Sequence, residues 1–82
     1  MFRVRVQVMP KRGILDPQGQ AVESALHSLQ FDAVEEVRIG KHMEILIRSD
    51  DPAWVEQSVR EMCQRLLANP VIEDFSYHIE EV

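Results

Sequence analysis

An α+β fold, an antiparallel sheet carrying two helices on one face, is what this 82-residue chain predicts. Three observations point there. Apolar and polar residues alternate at both ends of the chain, in Phe2-Arg3-Val4-Arg5-Val6-Gln7-Val8 and in Phe75-Ser76-Tyr77-His78-Ile79, the period of a half-buried strand. Two Asp-Pro pairs, Asp16-Pro17 and Asp51-Pro52, each open a stretch of helical apolar spacing. Between those stretches lie two shorter apolar runs, Val34 to Ile39 and Met43 to Ile47. The order is therefore βαββαβ, the split-βαβ or ferredoxin-like plan. Right-handed crossovers place both helices on the same face of the sheet.

Each element has its own grammar. The first strand gives way to a loop from Pro10 to Leu15. Asp16 is a side-chain acceptor at the N-cap and Pro17 suits the first helical position. Val22, Ala25, Leu26 and Leu29 then mark one face of a helix running to about Gln30. Val34, Val37 and Ile39 form the expected second strand, and Met43, Ile45 and Ile47 the third. A two-residue turn between them would mix the faces. A three-residue loop at 40–42 pairs Ile39 with Met43 and Val37 with Ile45, and keeps the apolar face intact. Asp51-Pro52 starts a second helix, to about Leu67, with Val55, Val59, Met62, Cys63 and Leu66 as its buried stripe. Asn69, a residue type that tolerates the left-handed conformation, and Pro70 end it. The last strand follows, from about Ile72 to Glu80.

The whole of 1–82 reads as a single domain. A chain this short has a thin core, yet 45% apolar residues argue for a packed structure. Fourteen Asp and Glu against nine Lys and Arg give a net charge of −5, a poor basis for binding nucleic acid. The single cysteine, Cys63, lies in the helical apolar stripe, so it is expected to be a buried core residue. That is consistent with a reducing, cytoplasmic setting. No apolar run reaches the length of a membrane span.

Catalytic chemistry is not evident. His27, His42 and His78 have no metal-ligand spacing, and the three glycines form no phosphate cradle. The acidic pairs sit on alternating strand positions. No catalytic, cofactor-binding or metal-binding residue is expected. The sheet face without helices should carry Arg3, Arg5, Gln7, Arg38, Glu44, Leu46, Arg48, Ser76, His78 and Glu80, polar but mixed in sign. Phe75 and Tyr77 share the phase of Ile79, so the base-stacking aromatics of an RNA-binding sheet are missing from that face. Three local features remain as candidate contacts. They are the basic loop Lys11-Arg12-Gly13, the cationic hairpin tip Arg38-Ile39-Gly40-Lys41, and Trp54 at the margin of the second helix's stripe.

With the elements placed, the chain resembles the PurS family, small subunits of phosphoribosylformylglycinamidine synthase. The matching motifs are Leu15-Asp16-Pro17-Gln18-Gly19, Ala25-Leu26-His27-Ser28-Leu29, Val37-Arg38-Ile39-Gly40-Lys41, Glu61-Met62-Cys63 and Leu66 to Phe75. One departure is Gln30-Phe31, where a glycine before the aromatic residue would be more typical. The resemblance implies a non-catalytic subunit that self-associates, as a dimer or a dimer of dimers. It would bridge a large synthetase subunit and a glutaminase subunit. Their complex would convert formylglycinamide ribonucleotide to the formylglycinamidine in purine biosynthesis, using ATP, Mg²⁺ and glutamine, with no cofactor on this chain. Asp16, Gln18, Arg38, Gly40, Lys41, Asn69 and Trp54 are the residues expected at or behind its contacts. Asp16 and Asn69 also have structural reasons, as N-cap and helix-end residue. A dimeric, ligand-binding regulatory module of the same fold is the alternative.

Overall fold

The computed structural model describes residues 1–82. Strand β1 (Phe2–Pro10) is followed by helix α1 (Pro17–Ser28), strand β2 (Lys41–Ile47), helix α2 (Pro52–Met62) and strand β3 (Glu73–Glu81). The sheet is antiparallel with order β2-β1-β3. β1 is central, which explains its clean alternation: Val4, Val6 and Val8 are fully buried while Arg3, Arg5 and Gln7 face the other way. The same phase carries Met43, Ile45 and Ile47 of β2 and Phe75, Tyr77 and Ile79 of β3 to the apolar face.

The expected strand at Val34–Ile39 is not formed, and with it goes the expected hairpin at 40–42. The sheet has three strands. Met43 pairs with Val6 and Ile45 with Val4, so Lys41 and His42 belong to β2 itself. The reason is visible in the spacing. Val34 and Val37 are an odd number of residues apart, so a strand would send them to opposite faces. The backbone is also held elsewhere: the Ile39 N–H donates to Asp16 Oδ2 at 2.8 Å.

α2 supplies the helical half of the core. Val55, Val59 and Cys63 are fully buried against the sheet valines, and burial pushes the Cys63 thiol pKa up. The helical run extends to Leu67 as expected, but its last turn, Cys63–Leu67, is a π-turn closed by Ala68 N–H donating to Cys63 O at 3.0 Å. A π-turn winds fewer degrees per residue than an α-turn, so the stripe is rephased. Leu67 and Ala68 turn toward the core, and Leu66, expected inside, is 82% exposed. Asn69 does not adopt a positive φ. Instead its Oδ1 accepts from Val71 N–H at 3.1 Å, and its carbonyl accepts from Ile72 and Glu73. The helix end is thus secured by a side-chain turn rather than a left-handed residue.

α1 begins as expected and ends in a Schellman motif. The Phe31 N–H donates to Leu26 O at 3.0 Å and the Gln30 N–H to His27 O at 2.9 Å. That motif needs a left-handed residue at Gln30, whose φ is 71°. Here lies the physical meaning of the departure at Gln30. Glycine there removes the Cβ clash, so Gln30→Gly is expected to stabilise the protein by about 1 kcal/mol. A urea midpoint equal to or below that of the parent protein would contradict this. No residue of α1 enters the core cluster. Val22, Leu29 and Phe31 are 40%, 68% and 57% exposed.

Candidate interaction site

Two motifs far apart in sequence meet in one junction. Asp16 Oδ1 accepts from the Gly19 N–H at 3.1 Å, the ordinary N-cap bond, while Oδ2 accepts from the Ile39 N–H at 2.8 Å. One carboxylate therefore caps α1 and anchors the segment leading into β2. Arg38 donates through Nη2 to the Pro10 carbonyl at the end of β1. Gly19 lies directly beneath the Val37 carbonyl, and Gly40 against the Val8 carbonyl and the Met9 sulfur. Neither position has room for a Cβ.

The electrostatics follow from these bonds. Donation by the Ile39 N–H, and next by Gly19, holds the Asp16 carboxyl below its ordinary range; partial desolvation opposes this, and the Gln18 N–H and the Arg38 charge assist. A lowered native pKa means the carboxylate form favours folding. That contribution is complete above the unfolded value, about 3.9, and is lost as pH falls through the lower native value. An asparagine side chain in the same place would offer one carbonyl oxygen for two N–H donors. Asp16→Asn is therefore expected to be less stable at pH 7 and to show a weaker loss of stability on acidification. Urea midpoints at pH 7, 5 and 3 test this; parallel profiles for the two proteins would refute it.

Beside the junction is a cavity of about 150 Å³, lined by the loop from Pro10 to Asp16 together with Gln20, Glu23, Glu36 and Arg38. Its cationic side chains are engaged, Arg38 by the Pro10 carbonyl. Arg12 lies 3.9 Å from Glu36, and Lys11 donates to Asp74 at 2.7 Å. The Lys11 N–H also donates to Ile72 O at 2.8 Å, which ties this loop to the turn built by Asn69. The basic loop is thus braced on both sides.

Of the expected contact residues, Asp16, Arg38 and Gly40 come together here, and Asn69 is linked through the Lys11 loop. Arg38, expected on the open sheet face and at a hairpin tip, is turned back onto β1. Gln18 and Lys41 are exposed at the margins. Trp54 takes no part: it lies in the first turn of α2, its backbone N–H donates to Asp51 Oδ1 at 3.2 Å, and the residue is 52% exposed. Gly19 and the Pro10 carbonyl are equally part of the junction. The Asp-Pro-x-Gly spacing carried the signal for Gly19; nothing in the sequence marks the carbonyl. His, Cys, Asp and Glu side chains gather in no group of three that could hold a metal. No helix is long and apolar enough to cross a membrane.

Comparison with known proteins is consistent over nearly the whole chain. Residues 3–81 match the family model PurS, phosphoribosylformylglycinamidine (FGAM) synthase. The chain is 51% identical over 82 residues to phosphoribosylformylglycinamidine synthase subunit PurS of Bacillus subtilis, covering all of this chain and 96% of that one. The corresponding subunit of Methanocaldococcus jannaschii is 37% identical over 82 residues, covering 100% and 99%. A solved structure of Bacillus subtilis PurS superposes with a TM-score of 0.87 at 51% identity, covering 99% of this chain and 100% of that one. A chain from the structure of PurLQS from Thermotoga maritima has the same fold, with a TM-score of 0.85 at 24% identity and 96% coverage of each.

Proposed function

Because the chain belongs to the PurS family, we propose that it is the non-catalytic small subunit of phosphoribosylformylglycinamidine synthase and acts in purine biosynthesis in the cytoplasm. It joins a synthetase subunit to a glutaminase subunit. Their complex uses ATP, Mg²⁺ and glutamine to convert formylglycinamide ribonucleotide to formylglycinamidine ribonucleotide. The observation that carries this reading is the end-to-end match to PurS subunits, 100% of this chain and 96% of its Bacillus subtilis relative.

The geometry supports a role in assembly. The molecule measures 51 × 27 × 14 Å, and its radius of gyration is 16.4 Å, against about 12 Å for a compact chain of this length. Its accessible surface is 6147 Å², roughly 1,100 Å² more than a monomer of this mass typically exposes. A standard interface buries about 800 Å² per partner. That surplus is what a second copy would cover, and the unpartnered stripe of α1 is the apolar surface it would cover first. Gln18, Lys41 and Trp54, all exposed, are assigned to direct contact with partners. Asp16, Arg38 and Gly40 fix the junction beside Gln18 and Lys41, and Asn69 holds the turn that braces the Lys11 loop.

Reconstitution tests the reading. The chain alone is expected to show no synthase activity, and to restore glutamine-dependent activity to a mixture of the synthetase and glutaminase subunits. Equal activity of that mixture without the chain would overturn the proposal.

A further inference from the structure

The face of the sheet turned away from α2 is a three-by-three grid set by register. Along one end lie Leu46, Arg3 and Glu80; in the middle Glu44, Arg5 and His78; at the other end His42, Gln7 and Ser76. The carboxylates of the grid are used up in the first two rows. Glu80 Oε1 lies 2.9 Å from Arg5 Nη1 and 3.4 Å from Arg3 Nη1, and Glu44 Oε1 lies 3.6 Å from Arg5 Nε. Beyond them is a cavity of about 340 Å³ lined by Arg5, Gln7, His42, Ser76, Tyr77 and His78. The chain holds fourteen Asp and Glu, and none lines this cavity.

Each polar side chain that remains can donate, and none is a carboxylate. Arg5 offers N–H groups not engaged by the two glutamates, Gln7 an amide NH₂, Ser76 a hydroxyl, and each histidine ring at least one N–H. They stand on three adjacent strands, about 4.8 Å apart, so donors from β1, β2 and β3 border the same cavity. Such an arrangement serves an acceptor with several oxygens, and charge-assisted donation from the guanidinium strengthens it. The geometry points to a phosphate-binding site at the His42–Gln7–His78 end of the open sheet face. The ligand class is a phosphate group, carried by a small phosphomonoester or present as free phosphate. A carboxylate has only two oxygens and engages fewer of these donors.

The three histidines provide an internal comparison. His42 and His78 lie in the site, whereas His27 sits on α1 with Nε2 at 2.8 Å from Val34 O. The experiment is a titration of the full-length protein with inorganic phosphate, at fixed pH and constant ionic strength, followed by the histidine ring C–H resonances in NMR. Saturable shifts of His42 and His78, with His27 unmoved, are expected. Acetate should bind at least tenfold more weakly than phosphate. Glycerol 3-phosphate distinguishes the sources: tighter binding than phosphate identifies an esterified ligand and equal binding free phosphate, and either supports the site. Gln7→Glu, at an exposed position, sets a carboxylate among the donors and should weaken binding at least tenfold with an unchanged far-UV CD spectrum. Ser76→Ala should weaken it about threefold and provides a second variant if Gln7→Glu fails to fold. Equal shifts of all three histidines, no saturation, equal affinity for acetate, or undiminished binding by both variants would overturn the proposal.

Discussion

Gly40→Ala is expected to be among the most damaging single-methyl additions this protein can suffer. The new Cβ would overlap the Val8 carbonyl oxygen and lie 2.5 Å from the Met9 sulfur. The sulfur ends a flexible side chain and can move. The carbonyl cannot, because Val8 belongs to the central strand and is paired on both sides, with Lys41 and Phe75. Gly19→Ala meets the same obstacle at the Val37 carbonyl, with Asp16 Oδ2 at 2.7 Å besides, so relief there disturbs the carboxylate that caps α1. Overpacking of this kind costs about 3 kcal/mol. An 82-residue domain has on the order of 4–12 kcal/mol in total. Gly13→Ala is the comparison. A Cβ there meets nothing within 4 Å, and only its φ of 85° opposes the change, a cost of about 1 kcal/mol. Urea melts should therefore rank Gly40→Ala and Gly19→Ala well below Gly13→Ala. Three equal midpoints would show that the close approaches are relieved by small backbone shifts.

The second large effect is on association. Val22→Glu combined with Leu29→Glu places two carboxylates on the α1 stripe, at residues 40% and 68% exposed within one chain. Neither belongs to the core cluster, so the folded subunit should persist. If a second copy covers that stripe, each buried and unpaired carboxylate is costly enough to break the assembly. Light scattering should then fall from an oligomeric mass to that of a single chain, 9.5 kDa. Cys63, fully buried behind α2, should stay unreactive toward a thiol reagent and so report that the core is intact. An unchanged oligomeric mass would place self-association on another surface.

Much of this architecture was legible in the residues because local chemistry and tertiary environment agree. β1 alternates without a fault since it is central and covered on one face only. Both Asp-Pro starts are realised, with Asp16 and Asp51 accepting from the first turn of their helices. The ferredoxin-like class and the membership of the PurS family followed from such elements and from motifs in register. What could not be read depends on partners distant in sequence. Apolar content suggested a strand at Val34–Ile39, but the Ile39 N–H is claimed by a carboxylate 23 residues earlier. Helical periodicity assigns Leu66 to the interior because it assumes a constant angle per residue, and the π-turn breaks that constancy. The candidate site was legible in part. The motifs containing Asp16 and Arg38 stood out separately, while their meeting depends on the loop path. The donor-lined end of the open face required the register of three strands, with His42 in β2 rather than in a loop.

The central position of β1 also fixes the timing of folding. Phe2 pairs with Glu81, and the Val82 N–H donates to Met1 O at 2.9 Å. A strand made early by the ribosome thus waits for one made much later. One flank of the sheet stays open until β3 has emerged, and only then can the ladder close. Loss of even a few residues from β3 would leave the inner ribbon with a raw edge, a template for clumping.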